Sequence, residues 1–543
     1  MGGMQVPDEP SLDDRERRNG RQSPDRLPFL SKVDILVRMW YNMSDSISPK
    51  EDTDMKQITA LMLALLLTLT CLAGCHDPQS GGVTTTDPST TTADPSSSSE
   101  DGCYLNGVLL EEYTVVYAAS DPEYTQNAAV YLSEQIAERT GVTLTVTDDA
   151  THPEPFAHEI VVGETTRAIS AALDADCKGF EFAIMADEAH VALEGDYFVI
   201  AAAAYYFVET YVTGDSFAAT VASEATVHTP MTREAKNLIF VIGDGMGESH
   251  TRLFDTFTLA DIGMESDGED EFYGYRFPYL GYSRTDSLSG TTDSAAGGTA
   301  LSAGYKTYNT YIGKDKDLAD VKSLTEIAIE LGKATAVMST EISTGATPAT
   351  FSVHAEDRDD AMEILLAQYA LTAEHGTVIK GGYGTNYAKN NIRSLKKDVR
   401  SILAELATDE DGFFMMYEES YIDKHSHAND LEKTCRSMVR LNQVLGVFLE
   451  FTFYHPDTVI LMTADHETGG LTLGEDGQYA YTTEEHTSAD VPVFAYGHST
   501  EVFHGVTVEN IQIPKTLAAM WGYELIGYDN QHFPSLIDVN VDE

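Results

Sequence analysis

The sequence predicts an α/β fold, a doubly wound and mainly parallel sheet flanked by helices, preceded by a small α+β domain. Three observations predict it. Residues 237–242 and 457–463 are largely unbroken apolar runs of the kind buried on both faces of a parallel sheet, and residues 334–339 and 491–496 are shorter ones. Helical segments alternate with them: Ser323-Leu324-Thr325-Glu326 is a capping box opening a helix that closes at Gly332, and residues 428–453 read as one long helix. The two longest runs end in acids, Gly243-Asp244-Gly245 and Ala464-Asp465-His466. In such sheets ligands collect beyond the carboxyl ends of the strands.

In chain order, residues 1–54 are rich in Arg, Asp and Pro and precede a segment with the layout of a signal peptide, residues 55–75. Met55-Lys56 is its basic start, and the apolar stretch that follows is too short for a comfortable membrane span. Leu72-Ala73-Gly74-Cys75 resembles the bacterial lipobox, which implies lipidation of Cys75, an extracytoplasmic location and a lipid anchor in the bacterial cell membrane. An ordinary signal peptide with a chance cysteine is the alternative. Export signals act at an N-terminus, so Met55 is the expected start and residues 1–54 a gene-model artefact or a disordered leader. Residues 76–102, rich in Ser, Thr, Pro and Asp, cannot bury enough apolar surface to offset their ordering entropy and are expected to be a disordered tether.

Residues 103–230 carry the small α+β domain. Residues 113–117 read as a strand, 124–139 as a helix with apolar residues at Ala128, Ala129, Leu132 and Ile136, and 142–146 as an alternating strand after Gly141. Strands at 159–163, 180–185 and 190–193 and a helix at 200–212 complete it. Val162-Gly163-Glu164-Thr165-Thr166-Arg167 resembles the domain in front of some bacterial glycoside hydrolases of the α-glucuronidase type, implying an accessory or structural domain, with carbohydrate binding as the alternative. A linker at 229–232 leads into the main domain, residues 231–543.

Of 543 residues, 34 are Lys or Arg and 87 Asp or Glu, a formal charge of -53 that argues against nucleic acid or anionic membrane surfaces as partners through bulk attraction. An anionic substrate would have to be bound against this field, and metal cations at the site are one way to do so. Cys71 and Cys75 fall in the export signal; whether Cys103 and Cys177 pair is left open, and no CxxC spacing exists.

The reactive residue types recur around the strand ends. Asp293-Ser294 stands before an Ala- and Gly-rich run, placing a serine at a helix N-terminus, where unpaired N–H groups favour an anion. Asp244, Asp465 and His466 share one edge of the predicted sheet and suit a common metal site. Asp423 and His427 are four apart, on one face of a helical turn, and can converge on one ion. Glu418 precedes Asp423 by five residues and could address a neighbouring ion. His486 adds an imidazole before a strand, Thr347 a hydroxyl, and Arg358 a planar guanidinium suited to a pair of phosphate oxygens.

With these blocks in order over roughly residues 235–530, the chain resembles the alkaline phosphatase family, including the spacings among Asp244, Ser294, Thr347 and Arg358. The resemblance implies a phosphomonoester hydrolase with two Zn2+ and one Mg2+ that acts through a phosphoserine. Asp423, His427 and His486 would hold the first zinc; Asp244, Asp465 and His466 the second; Asp244, Thr347 and Glu418 the magnesium. Ser294 would be the nucleophile, Arg358 the clamp on phosphate oxygens, and Asp293 and Lys424 further substrate-binding residues. Small-molecule phosphate monoesters and a homodimeric assembly are further implications. Related folds act on phosphodiesters or sulfates, and a catalytically inactive surface binding module is the alternative outside the enzymes.

Two positions depart from the family pattern. Gly345 stands where many members place an Asp or His beside the magnesium, and Glu419 where Gly is common. Both are expected around the third ion. Lys424, with Gly345 opposite, is expected to lack an acidic partner and to be free to meet phosphate, so that Lys424→Ala would weaken inhibition by inorganic phosphate.

Overall fold

The computed structural model describes residues 102–538, apart from 174, 176 and 265–270. The predicted leader, signal peptide, lipidation at Cys75 and all but the last residue of the tether lie outside the described residues.

The smaller sheet has six strands: β1 (Thr114–Tyr117), β2 (Thr145–Asp148), β3 (Glu159–Val162), β4 (Phe182–Ala186), β5 (His190–Gly195) and β6 (Thr226–His228), in the order β2-β1-β3-β5-β4-β6. Strands β2, β1, β3 and β5 are mutually parallel, and β4 runs against both β5 and β6. Helix α1 (Glu123–Thr140) buries Ala128, Ala129, Leu132 and Ile136 on one stripe and stops at Gly141, as its apolar period predicts. Strand β2 begins at Thr145, three residues later than the alternation predicts, because Val142, Thr143 and Leu144 form the link from α1. Helix α2 (Ile200–Tyr211) is buried along most of its length. Cys103 and Cys177 are not joined in a disulfide; Cys103 donates to the carbonyl of Asp215 at 3.4 Å.

The larger sheet has eight strands: β7 (Asn237–Gly243), β8 (Tyr279–Arg284), β9 (Ala334–Ser339), β10 (Val378–Lys380), β11 (Phe413–Glu419), β12 (Thr458–Thr463), β13 (Val491–Tyr496) and β14 (Thr507–Glu509), in the order β10-β9-β11-β7-β12-β13-β8-β14. The five strands from β10 to β12 are parallel, and β13 is reversed against both its neighbours. Every residue of β7 is buried. Ile239 and Val241 face one hydrophobic core with Met415, Ile460 and the long helix, while Leu238, Phe240 and Ile242 face another with Leu301, Ile327 of α4 (Leu324–Glu330) and Leu517. A strand covered on both faces has no polar side to alternate with, which is why its sequence reads as unbroken apolar.

The long helix begins later than the sequence predicts. A short helix, α6 (Tyr421–His427), comes first; Asn429 takes a left-handed φ of 51°, and Asp430 caps α7 (Leu431–Tyr454) through the N–H of Lys433. The smaller sheet and its helices are seated on α7 through a core that runs without a break between them. Phe180 meets Phe453 and Tyr496 edge-on at centroid distances of 5.5 and 5.2 Å. Asn127 Nδ2 donates to Glu450 at 2.7 Å, and Arg400 bridges Glu123 and Glu450 at 2.9 Å each.

Candidate active site

Four of the parallel strands deliver acids to one edge. Asp244 follows β7, Asp465 lies two residues past β12, Glu418 is the penultimate residue of β11, and Glu341 lies two residues past β9. Asp244 sits in a tight turn: Gly245 has a φ of +73°, and a Cβ there would press on the Cα of Asp423 and the hydroxyl of Thr468. Only glycine lets the turn close against α6, and α6 carries Asp423 and His427 on one face.

Ser294 opens helix α3 (Ser294–Ala303) and is buried. Asp293 caps it, with Oδ1 accepting from the N–H of Ala296 at 2.9 Å. The small residues behind the serine permit close packing: a Cβ on Gly297 would lie 3.0 Å from the carbonyl oxygen of Asp465, and one on Gly298 would lie 2.6 Å from the hydroxyl of Thr350. The helix can therefore press its N-terminus onto the segment that carries Asp465 and His466.

Two ligand groups result. In one, His427 Nε2 lies 3.0 Å from His486 Nε2 and 3.3 Å from Asp423 Oδ1, and His486 Nε2 lies 3.5 Å from the same oxygen. In the other, His466 Nε2 lies 3.2 Å from Asp465 Oδ2, 3.6 Å from Asp244 Oδ1 and 3.3 Å from Ser294 Oγ. Ligands of one tetrahedral zinc stand about 3.3–3.5 Å from each other, given bonds of about 2.0–2.2 Å. The first group has that size, and in the second the distances from His466 Nε2, that to the serine oxygen included, fall close to it. Each imidazole is oriented through its other nitrogen: His427 Nδ1 to the Glu484 carbonyl, His486 Nδ1 to the Thr292 carbonyl at 2.8 Å, His466 Nδ1 to Thr468 Oγ1 at 3.2 Å. Thr468 also donates to Asp423 Oδ1 at 2.6 Å and so ties the two groups together.

The donor set fits cations. Asp244 Oδ1, Asp465 Oδ2, Glu418 Oε1 and Thr347 Oγ1 are buried side-chain atoms without a hydrogen-bond partner. Orphaned acid oxygens at full burial are costly unless a charge compensates them. Burial, and then Glu341, push Glu418 up to about 8; burial, and then Asp423, push Asp465 up to about 6; burial, with Asp465 and Asp423 behind it, raises Asp244 well above the carboxylate range. Burial and then His486 push His466 down to about 3, leaving it a neutral imidazole as a metal ligand must be. Asp423 goes the other way: burial opposes its ionisation, but the hydrogen bonds of His427 and His486 hold it well below the usual range.

Two further unpaired oxygens belong to the residues expected around a third ion. Glu418 Oε2 accepts from Ser339, leaving Oε1 free beside Asp244; Thr347 stands in the short helix α5 (Ala346–Thr350) with its hydroxyl unpaired. Arg358 Nη1 donates to Asp293 Oδ2 at 3.0 Å, and the N–H of Thr310 to the same oxygen at 3.0 Å. Both oxygens of Asp293 are thus occupied by the protein, and its place is behind Arg358 as an anchor.

Two expectations change. Lys424 has an acidic partner: its Nζ is paired with Glu341, which the sequence reading did not single out although the strand-end rule that selects Asp244 and Asp465 would have found it. Glu419 does not face the residues expected around the third ion. Successive side chains of a strand point to opposite faces, and Glu419 turns away to a buried ion pair with Arg440, at 2.6 and 2.7 Å. The strand carrying both glutamates was itself unpredicted.

Fold and site together define an α/β protein with a candidate polynuclear metal centre and a serine at a helix N-terminus at the carboxyl edge of its sheet. Comparison with known proteins places that class more narrowly. Residues 235–380 and 383–481 match the family model of alkaline phosphatase. It is 31% identical to alkaline phosphatase 3 of Bacillus subtilis over 304 residues, which are 46% of this chain and 65% of that protein. To alkaline phosphatase 4 of the same organism it is 28% identical over 307 residues, 47% of this chain and 66% of the relative. The chain thus spans just under two thirds of the length of these relatives. The solved structure of alkaline phosphatase from the Antarctic bacterium TAB5 is 26% identical, covering 54% of this chain and 98% of that one, with a TM-score of 0.45.

Proposed function

We propose that this protein hydrolyses phosphate monoesters of small molecules through a phosphoserine at Ser294, with two zinc ions and one magnesium ion. The observation that carries the reading is the second group, in which the oxygen of a serine at a helix N-terminus and the buried oxygens of Asp244 and Asp465 lie 3.2–3.6 Å from His466 Nε2. Asp423, His427 and His486 would hold one zinc, Asp244, Asp465 and His466 the other, and Asp244, Thr347 and Glu418 the magnesium. Bound there, the ions would lower the proton affinity of an adjacent hydroxyl and neutralise charge on the oxygens that enter and leave phosphorus.

The protein's own groups then divide the work. Ser294 gives up its hydroxyl proton to water and Oγ attacks phosphorus in line; the Oγ–P bond forms as the ester P–O bond breaks, and the alcohol leaves with a proton from water. Water attacks the phosphoserine from the vacated side, the Oγ–P bond breaks, and inorganic phosphate departs while Ser294 regains its proton. Arg358, aimed by Asp293, holds the non-bridging oxygens through its planar fork. The N-terminal N–H groups of α3 add fixed positive ends to the same charge.

The lipobox-like segment supports placing this activity outside the cytoplasm on a lipid anchor at Cys75. The decisive experiment titrates zinc and magnesium into metal-depleted protein while hydrolysis of an aryl phosphate monoester, a diester and an aryl sulfate is followed. Monoester hydrolysis that appears with zinc is the expected outcome. Activity surviving complete chelation, or faster turnover of diester or sulfate, would sink the monoesterase reading.

A further inference from the structure

We propose that Glu341 is a positioning residue for the third cation, supplying from just past β9 the carboxylate that residue 345 lacks. This rests on the reading of Asp244, Thr347 and Glu418 as ligands of that cation.

The space argues for it first. A Cβ built on Gly345 would overlap Glu341 Oε1, and its next neighbours would be the Cδ and Cγ of the same side chain. The glutamate therefore fills the volume into which a residue-345 side chain would project. The backbone makes this reach short: the N–H of Gly345 bonds to the carbonyl of Ile342 at 3.0 Å, closing a turn that folds residue 345 back beside residue 341.

The neighbours argue for it next. Glu341 Oε2 is paired with Lys424 Nζ. The N–H of Glu341 donates to Ser339 Oγ at 3.1 Å, and that same hydroxyl donates to Glu418, so one serine registers the Glu341 backbone against a predicted ligand. The backbone carbonyl of Glu341 accepts from the N–H of Gly382 at 2.5 Å, which fixes the segment from the other side. Burial apart, Glu341 is the charge that weighs most on Glu418, and it weighs on Asp244 as well. Lys424 alone does not balance these carboxylates.

The chemistry decides how the glutamate acts. Magnesium takes six ligands, dehydrates reluctantly and keeps several waters. With Asp244, Thr347 and Glu418 as its protein ligands, such an ion would keep waters that need acceptors. Glu341, with one oxygen committed to Lys424, would offer the other to those waters rather than act as a ligand. Outer-shell partners of this kind typically change metal affinity by about 10–100-fold.

The test is calorimetric titration of magnesium into the zinc-loaded protein, with zinc content measured on the same samples. Glu341→Ala is expected to weaken magnesium binding about tenfold or more at unchanged zinc content, and Glu341→Gln, which keeps the volume, by less. Adding Gly345→Asp to Glu341→Ala is expected to recover most of the loss, since the new carboxylate enters the vacated space. Undiminished magnesium affinity in Glu341→Ala overturns the proposal. So does a loss that Gly345→Asp does not restore, which would mark Glu341 as merely structural. Glu418→Ala separates the two levels: if it too leaves magnesium binding intact, the third-ion reading itself is wrong, and this inference goes with it.

Discussion

The two largest sheets among the described residues bury carboxylates, and they treat them in opposite ways. In the smaller sheet Glu159, fully buried, takes two hydrogen bonds from Arg167 Nε at 3.1 and 2.9 Å, and Asp149 takes the N–H groups of Ala119 and Thr166 at 3.0 and 2.8 Å. In the larger sheet Asp244, Glu418 and Asp465 are buried as deeply, yet each keeps an oxygen with no partner. An unpaired buried charge costs several kcal/mol, so three of them at one edge mark a place where compensation is to come from outside the polypeptide. Glu418 and Glu419 repeat the contrast within a single strand: one is left open toward the ligand groups, while its neighbour is locked by Arg440. Acid content does not separate the reactive edge from the structural one; the presence or absence of a built-in partner does.

The largest expected effect tests which edge is reactive. Ser294→Ala should lower monoester hydrolysis by about 10^3-fold or more while zinc content is unchanged, because the six metal-ligating side chains remain. A rate within tenfold of the parent protein would remove the serine from the chemistry and with it the functional meaning of the contrast.

A smaller effect, but one with opposite signs, tests the contrast itself. In metal-depleted protein, Asp244→Asn should raise stability by about 1–2 kcal/mol, since it removes one negative charge from a buried group that repels itself. Glu159→Gln should lower stability by roughly 2–4 kcal/mol, since it leaves Arg167 buried without its counter-charge. Thermal or denaturant unfolding after chelation reads both. If the two substitutions shift stability in the same direction, the two sheets do not differ in the way described.

Much of this was legible in the sequence, for reasons that also explain the omissions. Parallel strands buried on both faces write themselves as apolar runs, so β7, β9, β12 and β13 and the acids after two of them could be read directly. Strand β11 carries a comparable run, Phe413 to Tyr417, but it passes without a break into the charged stretch from Glu418 to His427, and the acids masked the strand. Placing Glu418 on a strand is what separates it from Glu419, and that side-to-side alternation cannot be seen if the segment is taken as a loop. The start of α7 was read three residues early because nothing apolar or Gly/Pro-rich marks the break; a left-handed Asn429 does. Glu341 escaped because its partner, Lys424, is 83 residues away and adjacent only through the order β9-β11. The metal-type residues sit in short local patterns, whereas their partners are set by which strands happen to be neighbours.

The smallest expected effect concerns a residue that belongs to both kinds of site at once. Asp293 caps α3 through the N–H of Ala296 and anchors Arg358, so it is at the same time a structural acid with every oxygen satisfied and a neighbour of the proposed nucleophile. Asn caps a helix about as well as Asp, so Asp293→Asn should leave the serine in place and change stability by less than about 1 kcal/mol. Its amide cannot replace both charge-assisted bonds to Arg358 and Thr310, so the guanidinium should lose its fixed aim. Because Arg358 is part exposed, solvent screens the pair and the effect stays moderate: roughly three- to tenfold weaker binding of inorganic phosphate and a higher KM, with kcat changed less. A loss confined to kcat would place Asp293 in the chemistry. No change in phosphate affinity would show that Arg358 does not depend on it, and Asp293 would then belong with the paired acids of the smaller sheet.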